Sequence, residues 1–136
     1  MKFGAQRDHD GNGLGYDGRP AAVKTSLAYT LRRLNADHVD VYRLARVDPA
    51  VPIEETVGAI AEEAVKGRVR HIGLSEAGAE TIRRAHAVHL IADVQLEYSL
   101  LWRGIEREIL PACRELGVAV TAYGVLSRGL IGGHWS

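Results

Sequence analysis

The sequence is short of several features that would settle its class at once. It holds one cysteine, Cys113, so no intrachain disulfide can form, which fits a reducing cytosol. Neither sign of charge is in excess: 17 basic and 17 acidic residues give a net charge of +0. That balance removes the electrostatic reason to expect nucleic acid or an anionic membrane as a partner. No apolar run is long enough to span a bilayer, and residues 2–18 are polar and Gly-rich, unlike a secretory signal. Low-complexity tracts and linkers are missing as well. The expectation is a cytoplasmic protein with neither a membrane nor a nucleic-acid partner.

What is present is ordinary for a globular domain, with 46% hydrophobic and 25% charged residues. The 136 residues suit a single domain over 1–136. They would fill only around half of a complete (β/α)8 barrel, which takes about 250 residues.

After residue 20 the hydrophobic period alternates. Val23, Leu27, Leu31 and Leu34 share a helical face, with Pro20 suited to the helix start. Residues 39–44 read as a strand. Val57, Ile60, Ala61, Ala64 and Val65 make a second helical stripe, closed by Gly67, on which Glu62 and Lys66 are spaced for an ion pair. Residues 69–74 and 93–97 read as strands on either side of a helix over 79–89. Ile105, Ile109, Ala112, Cys113 and Leu116 form another helical stripe, which Pro111 must kink or start late. A β-branched run over 118–123 precedes a Gly-rich loop. With a strand remnant at 1–3, five strands alternate with four helices, the pattern of parallel β-α-β crossovers.

Gly13-Leu-Gly-Tyr-Asp-Gly18 has the G-x-G-x-x-G spacing of dinucleotide sites, but a polar loop precedes it and no helix opens at its last glycine. It reads as a flexible loop. Six histidines (9, 38, 71, 86, 89 and 134) invite a metal reading, yet no carboxylate or Cys completes a ligand set, so they read as structural. Cys113 lies on an apolar stripe and reads as core, and Ser127 lacks the frame of a hydrolase nucleophile. Polar residues at strand C-termini carry more weight, because in a parallel array those ends share one ligand-binding rim. Lys2, Ala45-Arg46, Ser75-Glu76, Gln95, Glu97 and Tyr123 fall there. Taken singly, some would merely cap helices, as Ser75 could.

Four segments carry a resemblance: Arg46-Val-Asp-Pro-Ala-Val-Pro-Ile-Glu-Glu-Thr-Val57, Gly67-Arg-Val-Arg-His-Ile-Gly-Leu-Ser75, Val94-Gln-Leu-Glu-Tyr-Ser-Leu100 and Ala122-Tyr-Gly-Val-Leu-Ser-Arg-Gly129. Together they resemble the aldo-keto reductases, nearly end to end. The resemblance implies a partial (β/α)8 TIM barrel, strands three to seven, truncated at both ends. It implies an NADP(H)-dependent oxidoreductase that reduces an aldehyde or ketone, or oxidises the corresponding alcohol, with a tyrosine acid aided by Lys, Asp and His. Lys2 matches the catalytic lysine, Ser75 and Gln95 the nicotinamide carboxamide contacts, and Tyr123 the stacking aromatic. Gly124, Leu126, Arg128 and Gly129 lie in the phosphate loop, where Gly124, Val125 and Ser127 replace the usual Ser, Pro and Gly. The Asp and Tyr have no counterpart in these residues, and Ala45 stands in the histidine's place. Little carbonyl reduction is therefore expected of the 136 residues themselves. The alternative is a non-catalytic remnant that binds or self-assembles through open barrel edges.

Overall fold

The structure is a computed structural model and describes residues 1–133. Its main sheet has five parallel strands in the order β1-β4-β5-β6-β7. These are β1 (Lys2–Phe3), β4 (Val39–Leu44), β5 (Val69–Ser75), β6 (Ile91–Glu97) and β7 (Ala119–Tyr123). A separate hairpin pairs β2 (Ala5–Arg7) with β3 (Gly13–Tyr16). Helices α1 (Pro20–Leu34), α2 (Ile53–Val65), α3 (Ala79–Val88) and α4 (Ile109–Leu116) connect the parallel strands. This is the expected partial barrel, with the helices covering one face of a curved sheet.

The core lies between sheet and helices. Tyr42 is its largest fully buried side chain: its ring stacks on Phe3 at 4.3 Å between centroids, and its hydroxyl donates to the Val23 carbonyl at 3.1 Å. Burial of that hydroxyl pushes its pKa up, and the bond to α1 satisfies its polar end. Val23 and Leu27 of α1, Val57 and Ile60 of α2 and Ile82 of α3 complete the layer. Cys113 is buried in the same core, as its place on the apolar stripe implies.

One local expectation is corrected, and others become specific. Residues 5–16 are not a featureless loop. Asp8 turns the chain by accepting from the Asn12 backbone N–H at 2.7 Å and the Asn12 side-chain amide at 2.9 Å, and Gly11 supplies a φ of +86°. Gly18, the last glycine of that motif, opens no phosphate site. Its N–H donates to buried Asp48 at 3.0 Å and its carbonyl accepts from Thr56 at 2.6 Å, a latch that ties the entry of α1 to the start of α2. Pro111 marks a late start. A 3-10 turn (Gly104–Glu106) comes first, and α4 begins only at Ile109. His86 accepts from the Ile91 N–H at 3.3 Å and the His89 ring meets the Leu90 carbonyl at 3.0 Å, both local structural bonds. His134 lies outside the described residues.

The apolar stripe of α2 does not run to its end. Val65 faces outward at 89% exposed, whereas Glu63 is buried at 3%. Lys66 therefore does not reach Glu62, which pairs with Lys24 instead. Lys66 and Arg68 each donate to a Glu63 oxygen at 2.7 Å. Led by the Lys66 bond, they hold the Glu63 carboxyl below the usual carboxylate range. Because the folded value lies below the unfolded one of about 4.3, this contribution to stability is complete above that pH. It is lost as pH falls through the folded value. In urea unfolding across pH, Glu63→Gln should flatten the acid limb. It should also lower stability at pH 7 by about 1 to 3 kcal/mol, nearer the low end because both cations are half exposed.

Candidate functional site

Helix-facing residues of the parallel strands are apolar, so their alternates face the concave side. The register places Lys2 beside Arg43, Arg43 beside Gly73, Gly73 beside Asp93 and Asp93 beside Ala119. One step towards the strand C-termini, Ser75 lies beside Gln95 and Gln95 beside Thr121; a further step on, Glu97 lies beside Tyr123.

In the lower layer Arg43 pairs with Asp93, and Thr121 donates to the same Asp93 oxygen at 2.6 Å. The Arg43 Nε and the other Asp93 oxygen are buried without a partner. Gly73 gives this group its space, for a Cβ there would lie 2.6 Å from Asp93 Oδ1 and 3.1 Å from Arg43 Nε.

In the upper layer Lys2 Nζ donates to Ser75 Oγ at 3.0 Å, and Arg46 Nη1 approaches the same oxygen at 3.3 Å. Arg46 also holds the Ala45 carbonyl at 2.8 Å. Partial burial, then the Arg46 and Arg43 charges, lower the Lys2 pKa from its ordinary value. Ser75 does not cap α3, whose N-cap is Gly78. Glu76 adopts a left-handed φ of 53°, which turns its carboxylate to accept from the Glu97 N–H at 2.9 Å. A hydrogen bond to the same carboxylate raises the Tyr123 hydroxyl pKa.

The fold thus joins Lys2 to Ser75, sets Gln95 beside Ser75, and lays Tyr123 beside Glu97, whose N–H Glu76 holds. Leu126, Arg128 and Gly129 stand apart in the following turn. There Ser127 and Arg128 have φ of 48° and 58°, and Gly124 and Gly129 have +65° and +93°. The Ser127 and Gly129 N–H groups bond the Gly124 and Leu126 carbonyls at 2.8 and 2.9 Å, which removes two donors from any ligand. Arg43, Asp93 and Thr121 escape a reading of strand ends because they lie within strands. The period-two alternation that puts Lys2 and Ser75 on one face is the signal that finds them. Among the described residues no cluster of three or more His, Cys, Asp or Glu could hold a metal, and no helix is long and apolar enough to cross a membrane.

The sequence model of the Aldo/keto reductase family matches residues 9–134. The chain belongs to that family. It is 50% identical over 117 residues to the "Probable aldo-keto reductase 1" of Glycine max, covering 86% of this chain and 34% of that protein. The glycerol dehydrogenase AKR11B4 of Gluconobacter oxydans superposes with a TM-score of 0.93 at 29% identity, over 99% of this chain and 42% of that one. An aldo/keto reductase from Klebsiella pneumoniae, solved with NADP and acetate, gives a TM-score of 0.74 at 30% identity, over 82% of this chain and 40% of that one. The chain therefore spans about a third of the curated relative and about two fifths of these solved aldo-keto reductases.

Gly73 offers a direct test of the lower layer. Gly73→Ala should cost about 1 to 3 kcal/mol in urea unfolding, since Arg43 and Thr121 pin the carboxylate that the new methyl would strike.

Proposed function

We propose that these residues belong to an NADP(H)-dependent oxidoreductase that interconverts aldehydes or ketones and alcohols, and that they form the cofactor-facing wall of its site. The observation that carries this reading is the convergence of Lys2 on Ser75 at 3.0 Å, on the same rim as Gln95 and Tyr123. Family membership supports the reaction class. The Klebsiella relative, solved with NADP and acetate, supports the cofactor.

The side chains present suit a nicotinamide. Ser75 and Gln95 offer a hydroxyl and an amide to its carboxamide, and Tyr123 offers an aromatic face at a strand end. The bound nicotinamide would supply the hydride. The protein's part is electrostatic: the Lys2 ammonium, made more acidic by partial burial and then by its cationic neighbours, favours negative charge developing on a carbonyl oxygen or a nearby phenol. The turn over 124–129 is the candidate phosphate contact, through Gly124, Leu126, Arg128 and Gly129. Ala45 can neither orient a carbonyl by hydrogen bonding nor pass a proton, so acid assistance is missing at that position. The 136-residue polypeptide accordingly binds NADPH and turns over little.

Fluorescence titration with NADPH tests this. Tyr123→Ala should weaken binding roughly tenfold, the scale of one lost aromatic stack. Binding indifferent to both Tyr123→Ala and Gln95→Ala would overturn the cofactor assignment. Steady NADPH consumption with an aldehyde panel, abolished in Lys2→Ala, would overturn the low-turnover reading.

A second reading is self-association through open barrel edges. It is favoured by β1 and β7, which each pair on one side only among the described residues. Size-exclusion chromatography should then show a concentration-dependent dimer, whereas a monomer at all concentrations would dismiss it.

A further inference from the structure

We infer that Asp93, held by Arg43 on one side and Thr121 on the other, pins the strand register that sets Gln95 beside Ser75, and that these three are positioning residues for the rim. This rests on the proposal above that Ser75 and Gln95 hold the nicotinamide carboxamide, and it says what keeps them in place.

Strand β6 does not keep one alternation along its length. Ile91 lies opposite Ile72 in the core layer, but the next residue of β5, Gly73, lies opposite Asp93. Ala92 is thus the extra residue of a bulge, and it reverses the face that each later residue of β6 takes. Continued regularly from Ile91, a period of two would turn Asp93, Gln95 and Glu97 under the helices and Val94 and Leu96 to the concave side. The bulge instead buries Val94 and Leu96 at 0% and 1% exposed, and it leaves Gln95 opposite Ser75 on the rim.

Burial of Val94 and Leu96 decides the face, but the ladder is broken at Ala92, directly below the Ser75–Gln95 pair. Side chains bridge that break. Asp93 is the first residue after it. Arg43 reaches Asp93 from β4, passing over β5 where Gly73 leaves room, and Thr121 donates to the same oxygen from β7 at 2.6 Å. One carboxylate so ties β4, β6 and β7 across β5. Gly73, Asp93 and Thr121 stand two residues before Ser75, Gln95 and Tyr123 and share the concave face with them, one step lower. The Arg43 and Asp93 side chains are only 15% and 13% exposed, so removing either partner would leave the other's charge buried.

The Glu76 N–H donates to the Gln95 carbonyl at 2.9 Å and reports this register directly. The experiment is hydrogen exchange of that amide, followed by NMR in the 15N-labelled 136-residue chain. The buried Ile60 of α2 supplies the reference amide for global opening. Thr121→Val, which spares the ion pair, should speed Glu76 exchange roughly tenfold more than Ile60 exchange, the scale of one lost charge-assisted bond. Arg43→Gln should do more, and Arg43→Lys should restore part of the protection; if Arg43→Gln does not fold, Thr121→Val carries the test. NADPH affinity should fall with Thr121→Val, but not further in a Gln95→Ala background, because the two changes act through one contact. Equal changes at Glu76 and Ile60, or none at Glu76, would overturn the inference. So would an unchanged NADPH affinity in Thr121→Val, or the same loss with and without Gln95. Selective exchange at Glu76 in a chain that does not bind NADPH would uphold the register pin while removing the cofactor reading.

Discussion

Each parallel strand has to bury one face beneath a helix, and the rest of the structure follows from that requirement. Tyr42 and Leu44 of β4, Ile72 and Leu74 of β5, and Val94 and Leu96 of β6 meet it almost completely. Because side chains alternate along a strand, the residues between them turn to the concave side. There the chain carries Arg43, Asp93, Ser75, Gln95 and Thr121 in place of a second apolar layer. The apolar face holds the fold together and, by the same geometry, assembles a polar site.

That polar face is graded along the strands. Its lower layer is electrically paired, with Arg43 set against Asp93 across the gap left by Gly73. In its upper layer Lys2 and Arg46 both reach the one buried hydroxyl of Ser75. An exposed ion pair contributes little in water, but cations gathered at a partly buried rim retain their pull on an anion.

The larger elements could be read from the residues because their burial patterns repeat. The stripes beginning at Val23 and Val57 became α1 and α2, and the β-branched runs at 39–44 and 69–74 became neighbouring strands. Other readings failed where a single side chain outweighed the period. Asp8 converted a Gly-rich stretch into a hairpin, and Asp48 took the Gly18 N–H. Glu63 took an inward position that an apolar stripe would assign to a hydrophobe, which sent Val65 outward and drew Lys66 away from Glu62. Ser75 precedes a helix in the sequence but caps nothing, since its hydroxyl meets cations from two other strands' ends.

By itself, the sequence determined the family, the alternation of strands and helices, and the chemical types available at the rim, because these reside in local periods and short motifs. Tertiary structure alone decided which of those groups meet. Lys2 and Ser75 are 73 residues apart, and Arg43 and Asp93 are 50 apart. Only the lateral register of parallel strands, a property of the assembled sheet, brings such distant residues within hydrogen-bonding reach.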